Sequence, residues 1–293
     1  MVVLPADTSG SGPYESQTVV RSPRAGAAGH DGRMALHLHH VVDGPSEPGT
    51  AAPAILFGPS LGTDLHLFDH QVDALADRFR CVRVDLPGHG SSPDADGDLT
   101  IEDLARGALA AADAAGVAEF HYVGVSIGGA IGQWLGAHGG DRVRSIAVLA
   151  TAARFPNPDV WPQRAAAVRE HGTGVMADSR PGTWYVEDWA RRNPAGERRL
   201  LDMLRATKPQ GYAACCAAIG AFDIRADLPS VSVPALAVAG ADDPATPPSA
   251  VREIADGISG ARYAEVADAA HLLNVERPDE VNTLLADHLH AQP

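Results

Sequence analysis

The feature that most limits what this chain can fold into is a rhythm. Short apolar runs closed by Gly or Pro alternate with longer Ala- and Leu-rich stretches. A strand covered on both faces reads as a continuous apolar run, and parallel strands need helical crossovers between them. The rhythm therefore predicts a mostly parallel sheet flanked by helices. Predicted strands cover residues 34–42, 54–57, 81–85, 121–125, 145–149, 235–239 and 262–266, and predicted helices cover 70–79, 101–115, 127–138, 249–256 and 278–290. The last helix has Pro278 in its first turn, followed by Asp279 and Glu280 where the helix dipole favours anions.

The alternation stops between Arg154 and about Leu228. Here Pro156, Pro158, Pro162, Pro181, Pro194 and Pro209 punctuate helix-like stretches that hold three of the four tryptophans. The expected organisation is a core of residues 31–153 and 229–293 interrupted by a helical lid over 154–228. Residues 1–30, rich in Gly, Ser, Pro and Ala without hydrophobic periodicity, read as a flexible extension.

Composition removes several classes of partner. The net charge is −14 and Lys208 is the only lysine, so a nucleic-acid footprint is not expected. The longest apolar segment, residues 145–153, is bounded by Arg144 and Arg154, far short of the roughly 20 residues a spanning helix needs. Membrane insertion is therefore not expected either. Met1 to Tyr14 shows no basic segment followed by an apolar one, and Cys81, Cys215 and Cys216 form no disulfide or zinc pattern. A cytoplasmic location with reduced thiols follows, and a homo-oligomer is left open.

Gly124-Val125-Ser126-Ile127-Gly128 ends a predicted strand and opens a predicted helix. That context turns a common five-residue pattern into a candidate nucleophile elbow; the plainer alternative is a helix-capping serine in a Gly-rich turn. A serine nucleophile needs a base to take its proton and an acid to orient that base, and on this architecture they follow in the order serine, acid, histidine. Asp243 lies on the loop after the strand at 235–239, with its neighbour Asp242 in reserve. His271 lies on the loop after the strand at 262–266, the expected base. For the negative charge that builds on a substrate oxygen, the expected backbone donors are Ile127 and, in the turn after the strand at 54–57, Leu61, with Ser60 as the alternative one residue away. His37 with His39 and His66 with His70 have spacings that metal sites use, but neither pair has a third ligand nearby, so no metal is expected. Cys215-Cys216 and Trp134 read as packed core.

Several stretches together resemble the α/β-hydrolase superfamily: Asp85-Leu86-Pro87-Gly88-His89-Gly90-Ser91-Ser92, the elbow, Asp243 and His271. A finer similarity is to 3-oxoadipate enol-lactonases. It runs through Ser60-Leu61-Gly62-Thr63-Asp64-Leu65, Gly132-Gln133-Trp134-Leu135, Val160-Trp161, Gly211-Tyr212-Ala213-Ala214-Cys215-Cys216, Asp243-Pro244-Ala245-Thr246 and Ala270-His271-Leu272-Leu273-Asn274-Val275-Glu276. Phe68 stands where a tryptophan is common in that family, and a lysine is common near Arg154. The resemblance implies a mostly parallel eight-stranded sheet with a helical lid, and a serine hydrolase that opens an enol-lactone through an acyl-enzyme without a cofactor. The implied substrate is a small lactone or ester carrying a carboxylate. Arg154 is the expected partner of that carboxylate, with Arg164 nearby, and Trp161 the expected pocket wall. Carboxylesterases, acyl-homoserine lactonases and cofactor-free haloperoxidases share the triad pattern, so these readings stay open; a non-catalytic binder on the same scaffold would be expected to have lost part of the triad, which is complete here.

Overall fold

The computed structural model describes residues 36–45 and 52–290; the extension over residues 1–30 lies outside them. Seven strands form one sheet: β1 (His40–Asp43), β2 (Ala54–Gly58), β3 (Arg80–Val84), β4 (Phe120–Val125), β5 (Val143–Leu149), β6 (Ala235–Gly240) and β7 (Arg262–Val266). Their order is β1-β3-β2-β4-β5-β6-β7, with β1 antiparallel to β3 and every other neighbour parallel. The resemblance implied eight strands; the described residues hold seven, one for each apolar run. The predicted 34–42 becomes a strand that begins only at His40, paired with Val84 at the end of β3; residues 34 and 35 lie outside the described ones.

The helices of the core follow the predicted pattern. α1 (Asp69–Leu75) stops short of residue 79 because the Arg78 and Phe79 amides both turn back to the Leu75 carbonyl, and the chain enters β3 at Arg80. α2 (Ile101–Ala114) starts with a capping box, in which the Asp103 amide donates to Thr100 Oγ1 at 3.1 Å and the Thr100 amide to Asp103 Oδ2 at 2.9 Å. α3 (Ile127–His138) leaves β4 with Ser126 alone between them. Between β5 and β6 lie α4 (Val160–His171), α5 (Glu187–Arg192), α6 (Pro194–Ala206) and α7 (Pro209–Ala221). α8 (Pro248–Gly257), α9 (Leu273–Glu276) and α10 (Pro278–His290) complete the chain. None of these helices is long and apolar enough to cross a membrane.

β2, β4 and β6 are buried along their whole length, as strands covered on both faces must be. From β2 the chain continues to β3 toward one edge of the sheet, and from β4 to β5 toward the other. The loops after β2 and β4 therefore diverge at a topological switch point, where open α/β sheets form their clefts.

The segment between β5 and β6 is seated on the loop after β3. A Cβ on Gly211 at the start of α7 would fall 2.2 Å from the Pro87 carbonyl oxygen, so only glycine lets the helix come this close. The Lys208 amide donates to the Gly88 carbonyl at 2.8 Å, and Tyr212 stacks on His89. Cys215 and Cys216 are free thiols buried on α7, which packs against α4.

The loop after β3 is itself closed around Asp85. Its Oδ1 accepts the Leu65 amide at 2.8 Å; its Oδ2 accepts the Ser91 amide at 2.9 Å and His39 Nδ1 at 2.8 Å. Asp85→Ala leaves the Leu65 and Ser91 amides without these acceptors in a buried setting, and is expected to cost about 2–5 kcal/mol of stability. Urea unfolding checks this; a loss below about 1 kcal/mol would show that water or other groups replace the carboxylate.

Candidate active site

Ser126 joins β4 to α3 with φ 60° and ψ −117°, a left-handed backbone that costs a non-glycine residue on the order of 1–3 kcal/mol. Surrounding bonds hold it there: the Ser126 amide donates to the Leu149 carbonyl at 2.9 Å, and its carbonyl accepts Thr151 Oγ1 at 2.7 Å and the Ala130 amide at 3.0 Å. The flanking glycines are steric necessities. A Cβ on Gly124 would lie 2.2 Å from the Gly128 oxygen, and one on Gly128 would lie 1.9 Å from the Gly58 oxygen. This turn therefore packs directly against the end of β2.

Asp243 and His271, twenty-eight positions apart, meet across the ends of β6 and β7, with His271 Nδ1 2.8 Å from Asp243 Oδ2. Oδ1 of Asp243 accepts the Ala245 and Thr246 amides at 2.8 and 3.1 Å, and Oδ2 also accepts Thr246 Oγ1 at 2.7 Å. Burial acts to raise this carboxyl's pKa, but the charge and hydrogen bond of His271 and the two bonds from Thr246 outweigh it, so the group is held below the usual carboxylate range. An ionised Asp243 requires the proton on His271 Nδ1, which leaves Nε2 as the basic nitrogen. Thr246 is a partner that sequence patterning did not single out, although it lies in the stretch that carries the resemblance. Asp242, the reserve acid, is exposed.

The turn after β2 is fixed from behind. The Thr63 amide bonds the Ser60 carbonyl at 3.1 Å, and the Gly62 amide donates to His89 Nε2 at 3.0 Å, which leaves the Leu61 amide outside the turn's own bonds. The other nitrogen of His89 donates to the Pro87 carbonyl at 2.8 Å. Full burial pushes the His89 pKa down to about 4, so the ring stays neutral and keeps an acceptor for Gly62. Ile127 is the first residue of α3, where a helix leaves its amides without intrahelical acceptors.

Ser126, His271, Ser60 and Leu61 line one cavity of about 360 Å³. Trp161 lines it too, with a buried Nε1 that has no hydrogen-bond partner. Arg154 does not reach it. Its half-exposed side chain lies 3.9 Å from Asp223, in a bridge that fastens the two ends of the inserted segment together. The arginines that line the cavity are instead Arg164 and Arg180. Arg164 lies over the Trp161 ring at 4.7 Å and Arg180 over Trp184 at 5.3 Å. Arg180 is 5% exposed, and its bonds go to the Met176 carbonyl and Ser179 Oγ. Burial lowers its pKa, and no carboxylate among the described residues pairs with it or lines the cavity. Sequence reasoning passed over Arg180; the available signal was the absence of an acidic residue three or four positions away on either side.

The other residues singled out in the sequence lie elsewhere. His39 binds Asp85 and His66 binds Asp69, at 2.8 and 3.3 Å. Trp134 is partly buried against the core, with Arg106 over its ring.

The chain matches the alpha/beta hydrolase fold family over residues 53–278. It is 35% identical over 248 residues to 3-oxoadipate enol-lactonase 1 of Acinetobacter baylyi, covering 85% of this chain and 91% of that protein. It is 32% identical over 230 residues to 3-oxoadipate enol-lactonase 2 of the same organism, covering 78% and 86%. Among solved structures, the enol-lactonase from Burkholderia xenovorans LB400 superposes with a TM-score of 0.83 at 39% identity, covering 86% of this chain and 96% of that one.

If Asp243 orients His271, Asp243→Asn slows covalent labelling of Ser126 by a fluorophosphonate at least ~100-fold, because an amide no longer enforces the tautomer with a basic Nε2. Asp242→Asn leaves the labelling rate close to that of the unaltered chain. The reverse pattern, with labelling followed by mass spectrometry, would exchange their roles, and equal effects would remove Asp243 as the orienting acid.

Proposed function

The chain belongs to the α/β-hydrolase family, and we propose that it is a serine hydrolase that opens 3-oxoadipate enol-lactone, with Ser126, His271 and Asp243 as its catalytic residues. The observation that carries this reading is the cavity itself. A serine on a strained strand-to-helix turn shares it with a histidine whose Nδ1 is engaged by a buried carboxylate. The relatives named enol-lactonase, at 32–39% identity, favour the lactone over other acyl substrates.

In this mechanism His271 Nε2 takes the Ser126 hydroxyl proton as Oγ attacks the lactone carbonyl. The resulting oxyanion accepts hydrogen bonds from the Leu61 and Ile127 amides. As the tetrahedral carbon collapses, the ring C–O bond breaks, the enol oxygen takes the proton from His271 and an ester to Ser126 remains. His271 then deprotonates a water that attacks this ester. The second collapse returns the proton to Ser126 Oγ and releases the acid. Each proton taken is given back, so the cycle needs no metal or organic cofactor.

Arg164 and Arg180 replace Arg154 as partners of the substrate's carboxylate. A buried guanidinium without an acidic partner, as at Arg180, is costly in an ordinary core, and with the partly buried Arg164 on the same cavity it suits an anionic ligand. Arg180 spends two of its five N–H groups on protein acceptors, which leaves donors for a carboxylate. The buried, unpaired thiols of Cys81, Cys215 and Cys216 suit the reducing cytoplasm.

Loss of enol-lactone absorbance, compared with hydrolysis of neutral esters, tests the reading. Activity on esters with none on the lactone would overturn the substrate, and failure of a fluorophosphonate to label Ser126 would overturn the chemistry. Arg180→Met and Arg164→Gln are expected to raise KM for the lactone roughly 10- to 100-fold, the loss of one charge-assisted hydrogen bond or pair, with a much smaller change for neutral esters. Equal changes for both substrate types would remove the arginines from carboxylate recognition.

A further inference from the structure

Glu276, the last residue of α9, is 5% exposed and has no role in the mechanism above. Burial pushes its carboxyl up to about 7. Its Oε1 accepts the Ala270 amide at 2.7 Å, and its Oε2 accepts the Val186 amide at 2.7 Å. The first amide belongs to the residue before His271, the second to the residue just before α5 in the inserted segment. Two further bonds run between the same stretches: the His271 amide to the Thr183 carbonyl at 3.4 Å, and the Leu272 amide to the Trp184 carbonyl at 2.7 Å. Thr183 and Trp184 both line the cavity.

We propose that Glu276 is a positioning residue, whose carboxylate clamps the backbone before His271 to the backbone at Val186, so that the base and the cavity wall made by Thr183 and Trp184 are set as one unit. This rests on His271 being the base. The chemistry of the partners is what requires a carboxylate. Both are N–H donors, and an ionised carboxyl offers an acceptor on each oxygen, whereas a glutamine of the same shape turns an NH2 toward one of the two amides. A buried acid is a costly way to hold two amides that ordinary ladder bonds could satisfy. What it adds is a rigid bridge between segments ninety residues apart.

Two substitutions break the clamp from opposite sides. Glu276→Gln keeps the volume and loses one acceptor. Val186→Pro keeps the acid and removes the donor, at a residue whose φ of −68° already suits proline. Each is expected to lower kcat on the lactone, and the rate of Ser126 labelling by a fluorophosphonate, roughly 10- to 100-fold per labelled site, with a smaller change in KM. Combined, they are expected to lose little more than either alone, because both break one link. Hydrogen exchange should quicken at residues 183–186 and 270–272 while the sheet stays protected. Counting labelled sites separates misfolded protein from misplaced base. An unaltered chain that ignores the lactone but labels readily overturns the substrate reading and leaves the clamp to be judged on labelling rates. Unchanged labelling rates in both variants, or losses that multiply in the double variant, overturn the clamp.

Discussion

The site depends on how closely three backbone segments approach one another at the carboxyl ends of β2 and β4. Gly128 lies so near the Gly58 carbonyl, and Gly124 so near Gly128, that neither position has room for a methyl group. That packing holds Ser126 in a conformation a serine would not choose in solution, and the strain is borne by the bonds to Leu149, Thr151 and Ala130. It also brings the turn carrying Leu61 beside the start of α3. The amides proposed to bind the oxyanion are thus placed by backbone contact rather than by adjustable side chains, and need little rearrangement when charge develops.

Around this fixed centre, charge is distributed against the average. The chain carries −14 overall, yet its cavity is lined by Arg164 and Arg180 and, among the described residues, by no acidic one. Long-range repulsion of an anionic substrate is screened within about 8–10 Å at ordinary ionic strength, whereas a guanidinium inside a narrow cavity acts at contact. A local pair of cations can therefore govern recognition although the surface has the opposite sign.

The inserted helices do more than cover the sheet. α7 rests on the loop after β3 through Gly211 and Lys208, and the stretch before α5 is bonded to the loop of His271. His89 lies between two of these parts, bonded to Gly62 in the turn after β2 and stacked on Tyr212 of α7. The cavity wall and the proposed catalytic loops share one framework, so a change in the insertion is felt at the chemistry.

Much of the fold was legible in the chain. Each apolar run became a strand, and α3 and α10 begin and end at the predicted residues. The order Ser126, Asp243, His271 also pointed to groups that the structure brings to one end of the sheet. Such features are local: a run of β-branched residues, a proline in a first turn or a glycine beside a serine acts through neighbours a few positions away. Arg154 shows where this reading stops, because its place at the entry to the insertion says nothing of which way it turns, and the pairing with Asp223 takes it to the surface. The proposed roles of Arg180 and Glu276 were likewise hidden, one resting on a buried cation packed against the Trp184 ring, the other on two amides from different loops. By itself the sequence determined the elements, their class and the candidate nucleophile. Tertiary structure alone decided which cations line the cavity and what holds the histidine's loop, because those depend on contacts between residues far apart in the chain that become neighbours only when the insertion packs onto the sheet.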